Sequence, residues 1–203
     1  MKKLMIILLA TGLFQACQNS QKQENPPAAE KNTQKQTGDE IYMKKGKEIA
    51  QATFKAFKGH IKKKSHEGGL TAVVDFCHEN ALKLTDSMAQ VYNVKIKRTS
   101  HKLRNPENAP DAMEKEILTE YLAEIKQAKK PKPVIKKDDE GNVHFYAPIF
   151  IKHDCLKCHG EPVKDIPEPI YKKIKENYPQ DKAINFKTGD LRGIWDIEFP
   201  QNN

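Results

Sequence analysis

The chain has 203 residues, 31% of them charged, and past its N-terminus no run of about 20 apolar residues exists; it suits one or two domains and cannot be a multi-spanning membrane protein. The formal net charge is +8, yet of 35 basic residues just Arg98, Arg104 and Arg192 are arginine. Nucleic-acid readers lean on arginine forks, so the charge points away from nucleic acid and toward solvation of an exported protein, with attraction to an anionic partner. Four cysteines are too few for a disulfide scaffold.

Lys2 and Lys3 precede the apolar run from Leu4 to Leu9, and the stretch closes at Phe14-Gln15-Ala16-Cys17. A positive region, a short apolar region and a small residue before the break describe an export signal. A cysteine directly after the small residue looks like a bacterial lipoprotein signal, with residues 1–16 removed and Cys17 carrying the lipid. Phe14 and Gln15 stand where leucine and a small residue are usual, so a non-lipidated signal is the alternative. Both lead out of the cytoplasm. Gln18 in place of Asp fits the periplasmic side of an outer membrane. Residues 17–40, rich in Gln, Asn, Lys, Pro and Glu, bury too little to offset their ordering entropy and read as a tether. The folded domain is expected over residues 41–203.

From Ala50, Phe54, Phe57 and Ile61 recur at helical spacing. After Gly68-Gly69 a stronger stripe follows: Leu70, Val73, Val74, Cys77, Ala81, Leu84 and Met88, all on one helical face. Tyr92, Val94 and Ile96 alternate as in a strand. Asn108 and Pro110 open a third helix with Met113, Ile117, Tyr121 and Ile125 on its face, ended by Pro131 and Pro133. The cluster Asp138 to Asn142 predicts a hairpin turn between Val134-Ile135 and a strand from Val143 to Ile151, in which Pro148 marks an edge or a bulge. A last strand runs from Leu191 to Phe199 with Trp195, Ile197 and Phe199 on one side. Helices first and antiparallel strands later predict an α+β domain.

The chemistry is concentrated in Cys155-Leu156-Lys157-Cys158-His159-Gly160. C-x-x-C-H is the attachment pattern for c-type haem: two thiols form thioethers and the next residue, His159, ligates the iron. Zinc would need a second ligand pair, and a thioredoxin-like dithiol would continue differently after the second cysteine. With Cys17 lipidated and two thiols in thioethers, Cys77 is left in the middle of the strongest apolar stripe. It is either a small buried hydrophobe or the sixth iron ligand, in competition with His78, His144, His153, Met88 and Met113.

These segments resemble the c-type haem proteins with a PAS-like fold known as Tll-like haem-binding domains. The resemblance covers Leu70 to Ile197. It rests on Ala72-Val73-Val74-Asp75-Phe76-Cys77 with Ala81, on the Arg98 to Asp111 stretch with Glu114 behind it, and on Tyr146-Ala147-Pro148-Ile149. The Cys155 to Gly160 motif, Tyr178 to Ala183, and Thr188 to Gly193 complete it, with Ile184-Asn185-Phe186 after Ala183 where glycine is usual. The resemblance implies N-terminal helices and an antiparallel sheet around one haem, with His159 as proximal and Cys77 as opposite ligand. Arg98 and Arg104 flank a rigid turn; they are candidates for the haem propionates, or else structural caps of carbonyls. Such a protein is expected to be a redox or gas-responsive sensor working through a separate redox or signalling protein, or a low-potential electron carrier in the periplasm. No acid–base constellation for a peroxidase-like enzyme is visible.

Overall fold

The structure is a computed structural model that describes residues 38–201. Cys17, the signal segment and most of the tether lie outside the described residues. None of the described helices is long and apolar enough to cross a membrane.

Helix α1 spans Gly38–Tyr92 and is broken at Gly68 and Gly69, whose backbone leaves helical geometry (Gly69 has φ 67°). The His60 and Phe76 rings stack with centroids 5.1 Å apart. Sixteen residues of straight helix would separate them by about 24 Å, so the break folds the two arms back on each other. The first arm begins at Gly38, well before the expected Ala50, and the second runs through Tyr92. Tyr92 is therefore helical, and Asn93 (φ 50°) ends the helix before strand β1, Lys95–Thr99.

A 3-10 turn, Pro106–Asn108, leads to α2, Ala112–Lys126. Its start differs from the expectation: Asp111 is the cap, accepting the Glu114 amide while the Glu114 carboxylate accepts the Asp111 amide. The helix also stops before Pro131, with Ala128 in the left-handed region at φ 56°. Strands β2 (Val134–Lys137) and β3 (Val143–Phe150) form the expected hairpin. After β3 come α3 (Leu156–His159), α4 (Glu168–Asn177) and β4 (Leu191–Phe199).

The antiparallel sheet has the order β1-β4-β3-β2. This is an α+β fold. Pro148 lies past the end of β2, where its missing N–H costs no ladder bond, and a register shift follows at Ile149/Phe150. Alternation splits the sheet into two faces. Phe145, Ala147, Trp195, Ile197 and Phe199 meet Ile49, Ala50 and Phe57 from the first arm of α1. Tyr146 and Ile194 meet Ile117, Leu118 and Tyr121 of α2. Gly46 allows the close approach of α1 to the sheet, since a Cβ there would lie 2.2 Å from the Phe145 ring.

Candidate functional site

The second arm of α1 does not bury its stripe against one partner. Leu70 and Val74 pack with Ile166, Ile170 and Ile174 around α4. Ala81, Leu84 and Met88 pack on the sheet. Cys77 falls between these two groups. It is half-buried, as are Cys155, Cys158, His159, Arg98, Arg104 and Arg192. Each is partly exposed, and Cys77, Cys155, Cys158, His159 and the three arginines act on one another electrostatically, so their polar groups gather at one partly open recess. None of the three described cysteines is in a disulfide.

The attachment motif lies where β3 ends. A 3-10 turn, His153–Cys155, runs directly into α3. Cys155 and Cys158 are three residues apart in helical backbone, so they share a face. The Lys152 amide donates to Cys155 Sγ at 3.3 Å. Burial pushes the Cys158 thiol up. Burial, and then the charge a Cys158 thiolate would place nearby, push Cys77 up to about 11. An isolated Cys77 thiolate is thus unfavourable; a cationic partner must offset its desolvation.

His159 is held in one tautomer. Its Nδ1 lies 2.8 Å from the Ala183 carbonyl. A carbonyl only accepts, so Nδ1 carries the hydrogen and Nε2 keeps its lone pair. Burial, and then the charges of Arg104 and Arg192, hold the imidazole well below its ordinary value and hence neutral. The Phe186 and Asn185 amides donate to the His159 and Gly160 carbonyls at 3.0 and 2.8 Å. Asn185 makes this turn with φ 59°, a conformation asparagine tolerates. The Ile184-Asn185-Phe186 segment thus makes a left-handed turn at Asn185 that is bonded to the end of the attachment motif.

The three arginines converge on this recess but are bonded differently. Arg104 forks onto Asp181, with Nε–Oδ1 and Nη2–Oδ2 both 3.2 Å, and donates to the carbonyls of Cys158 (2.6 Å) and Ala183 (3.1 Å). It ties the motif to the segment behind it. The Arg98 side chain makes no hydrogen bond or ion pair among the described residues; its guanidinium lies 3.9 Å from the Phe57 ring centre and 5.6 Å from that of Trp195. Arg192 donates to the Lys102 carbonyl at 3.2 Å and lies over Phe186. Burial lowers the proton affinity of Arg98 and Arg192, although guanidinium stays charged. Two crowded cations without carboxylate partners suit an anionic ligand.

The rival ligands stand elsewhere. His144 is on the α2 face, its Nδ1 2.9 Å from Asp196. Met113, in α2, packs against the cluster that holds Ile117 and Tyr146, and Met88 packs against the cluster on the opposite face of the sheet. His78 and His153 are exposed, His78 against the edge of Tyr178. Sequence reasoning left Arg192, Ala183 and Asp181 without roles. Arg192 had a signal, being one of three arginines; the Ala183 carbonyl had none, because a backbone acceptor carries no residue code.

These features define an α+β domain that gathers thiols, an imidazole and guanidinia at one place. The Tll0287-like family model matches residues 15–200, and the chain belongs to that family. Among solved structures it is similar to the cyanobacterial heme-protein Tll0287, with 30% identity and a TM-score of 0.50, over 59% of this chain and 69% of that one. Among curated proteins none matches.

Proposed function

We propose that this chain carries one haem c, joined through Cys155 and Cys158, with His159 and Cys77 on the iron and the propionates at Arg98 and Arg192. Its support is a single convergence. Three cysteines outside any disulfide, a neutral imidazole whose Nε2 lone pair is left unused and two guanidinia without carboxylates gather at one recess. When bound, the haem supplies a one-electron iron couple. The chain does the rest. Ala183 fixes the His159 tautomer, Arg104 anchors the motif, and Arg98 and Arg192 offset negative charge.

Cys77 makes the site responsive. Burial favours its thiol over its thiolate, so its hold depends on the positive charge it faces. Were that charge to fall by one unit, a proton would compete for Cys77 and the side chain would be free to withdraw. We therefore favour an exported redox- or gas-responsive sensor, tethered by lipid on Cys17 and signalling through a separate protein, and not an enzyme. A low-potential electron carrier is the second reading, favoured by the lysine face described below. The test is acid–acetone extraction followed by oxidised, reduced and carbon-monoxide spectra. Pigment that stays on the polypeptide, with a sixth position that opens on reduction, supports the sensor. Retention of both ligands through the cycle favours the carrier, and extractable pigment refutes covalent attachment.

A further inference from the structure

The first arm of α1 carries a face that the fold does not use. From Ile49 to His66 it holds no carboxylate. Lys55, Lys58 and Lys62 are exposed and have no ion-pair partner among the described residues, whereas Lys63 and Lys64 are paired with Glu67. Phe54 and Ile61, expected on the apolar face, are instead 44% and 38% exposed. At 100° per residue, Phe54, Lys58 and Ile61 fall within about 60° of arc, with Lys55 and Lys62 alongside.

This face borders the cofactor recess. Lys152 Nζ lies 5.6 Å from the centre of the Phe54 ring, and the Lys152 amide holds Cys155 Sγ. One turn further along the arm, Phe57 lies beneath the Arg98 guanidinium. A helix lying in a bilayer interface presents a continuous apolar face to lipid. Here that face, with Ile49, Ala50 and Phe57, is consumed by the sheet. What remains is a small apolar spot among lysines, the composition of a low-area, electrostatically steered contact.

We propose that this face docks an acidic one-electron redox protein beside the recess. The partner's carboxylates meet Lys55, Lys58, Lys62 and Lys152, and Phe54 and Ile61 form the dry centre. This rests on the haem reading: one electron passes between the partner's centre and the iron, one being oxidised as the other is reduced, with no bond broken. The experiment uses the haem-loaded chain with poly-L-glutamate as binding probe, read by amide chemical shifts. Ferricyanide and tris(phenanthroline)cobalt(III) serve as oxidants of opposite charge. Shifts should concentrate at residues 51–65 and 152–157 and disappear in Lys55→Glu/Lys58→Glu/Lys62→Glu. At low salt that variant should slow ferricyanide about tenfold and accelerate the cobalt complex. Shifts spread over lysines of other elements, such as Lys130 and Lys172, or rates that change less than about twofold, overturn the surface. Binding to phosphatidylglycerol vesicles without response to poly-L-glutamate reassigns the face to a bilayer and also overturns it. A chain that takes up no haem overturns the cofactor reading and the electron exchange with it; a haem-loaded chain that fails these tests overturns the surface alone.

Discussion

Arg104→Gln tests whether the motif is anchored from behind. The Asp181 side chain is wholly buried and that of Arg104 is 13% exposed. The substitution leaves the Asp181 carboxylate facing the Ala183 amide, 2.8 Å away, with its cation gone. Removing one member of a buried pair costs about 3–5 kcal/mol. Losing the bonds to the Cys158 and Ala183 carbonyls adds about 1–2 kcal/mol. The slight exposure of Arg104 and the donor capacity of glutamine return part of this, giving about 3 kcal/mol. That is a large share of the roughly 5–15 kcal/mol that holds a domain together. Arg104→Gln/Asp181→Asn removes both charges and should lie within about 2 kcal/mol of wild type, a coupling of about 2 kcal/mol or more. Urea unfolding of the four proteins in the cycle measures it. A loss under about 1 kcal/mol in the single variant, or additive losses, would refute the anchoring role.

Arg98→Gln should show the opposite pattern: stability nearly unchanged, but a midpoint potential lowered on the order of 50 mV, because a positive charge beside the iron favours its reduction. Redox titration reads it, and an unchanged potential assigns Arg98 to packing on Phe57 and Trp195. Cys77→Ala should alter the ferric absorption spectrum and raise the potential; an unaltered low-spin ferric spectrum places the sixth ligand elsewhere. Stability should also fall on the alkaline side through His144. Burial alone would depress its pKa, but the Asp196 hydrogen bond and charge, and then Asp138, raise it to about 9. A raised histidine contributes fully below about pH 6.5, and the contribution is lost as pH rises through about 9. The ceiling is about 3 kcal/mol, and the lost hydration of Asp196 cuts it to about 1–2 kcal/mol. Urea midpoints between pH 6 and 10 test this, and an Asp196→Asn variant that keeps the full alkaline loss would exclude the pair.

Local patterns determined much of this protein. The strand expected from Leu191 to Phe199 has the bounds of β4, with Trp195, Ile197 and Phe199 on one side, and Asp138 to Asn142 marks the hairpin, because alternation and turn chemistry are written in neighbouring residues. The glycine pair marks the break in α1, since backbone freedom belongs to the residue itself. C-x-x-C-H likewise puts two thiols on one helical face without help from the rest of the chain. The boundaries of α2 were less legible: Asn108 and the two prolines looked like its limits, while the reciprocal bonds of Asp111 and Glu114 and the turn at Ala128 set them.

Tertiary structure decided what spacing cannot express. A helical stripe shows which residues share a face but not how many partners divide it. Cys77 joins neither apolar cluster: α4 takes the stripe residues before it and the sheet those after it. Phe54 and Phe57 look equivalent in the sequence, yet Phe57 packs with the sheet residues beneath Arg98 and Phe54 reaches solvent. The three arginines, scattered over 95 positions from Arg98 to Arg192, acquire different partners only once β1, its following turn and β4 are brought together. Long-range pairing, and not residue type, makes Arg104 an anchor and leaves Arg98 without a carboxylate.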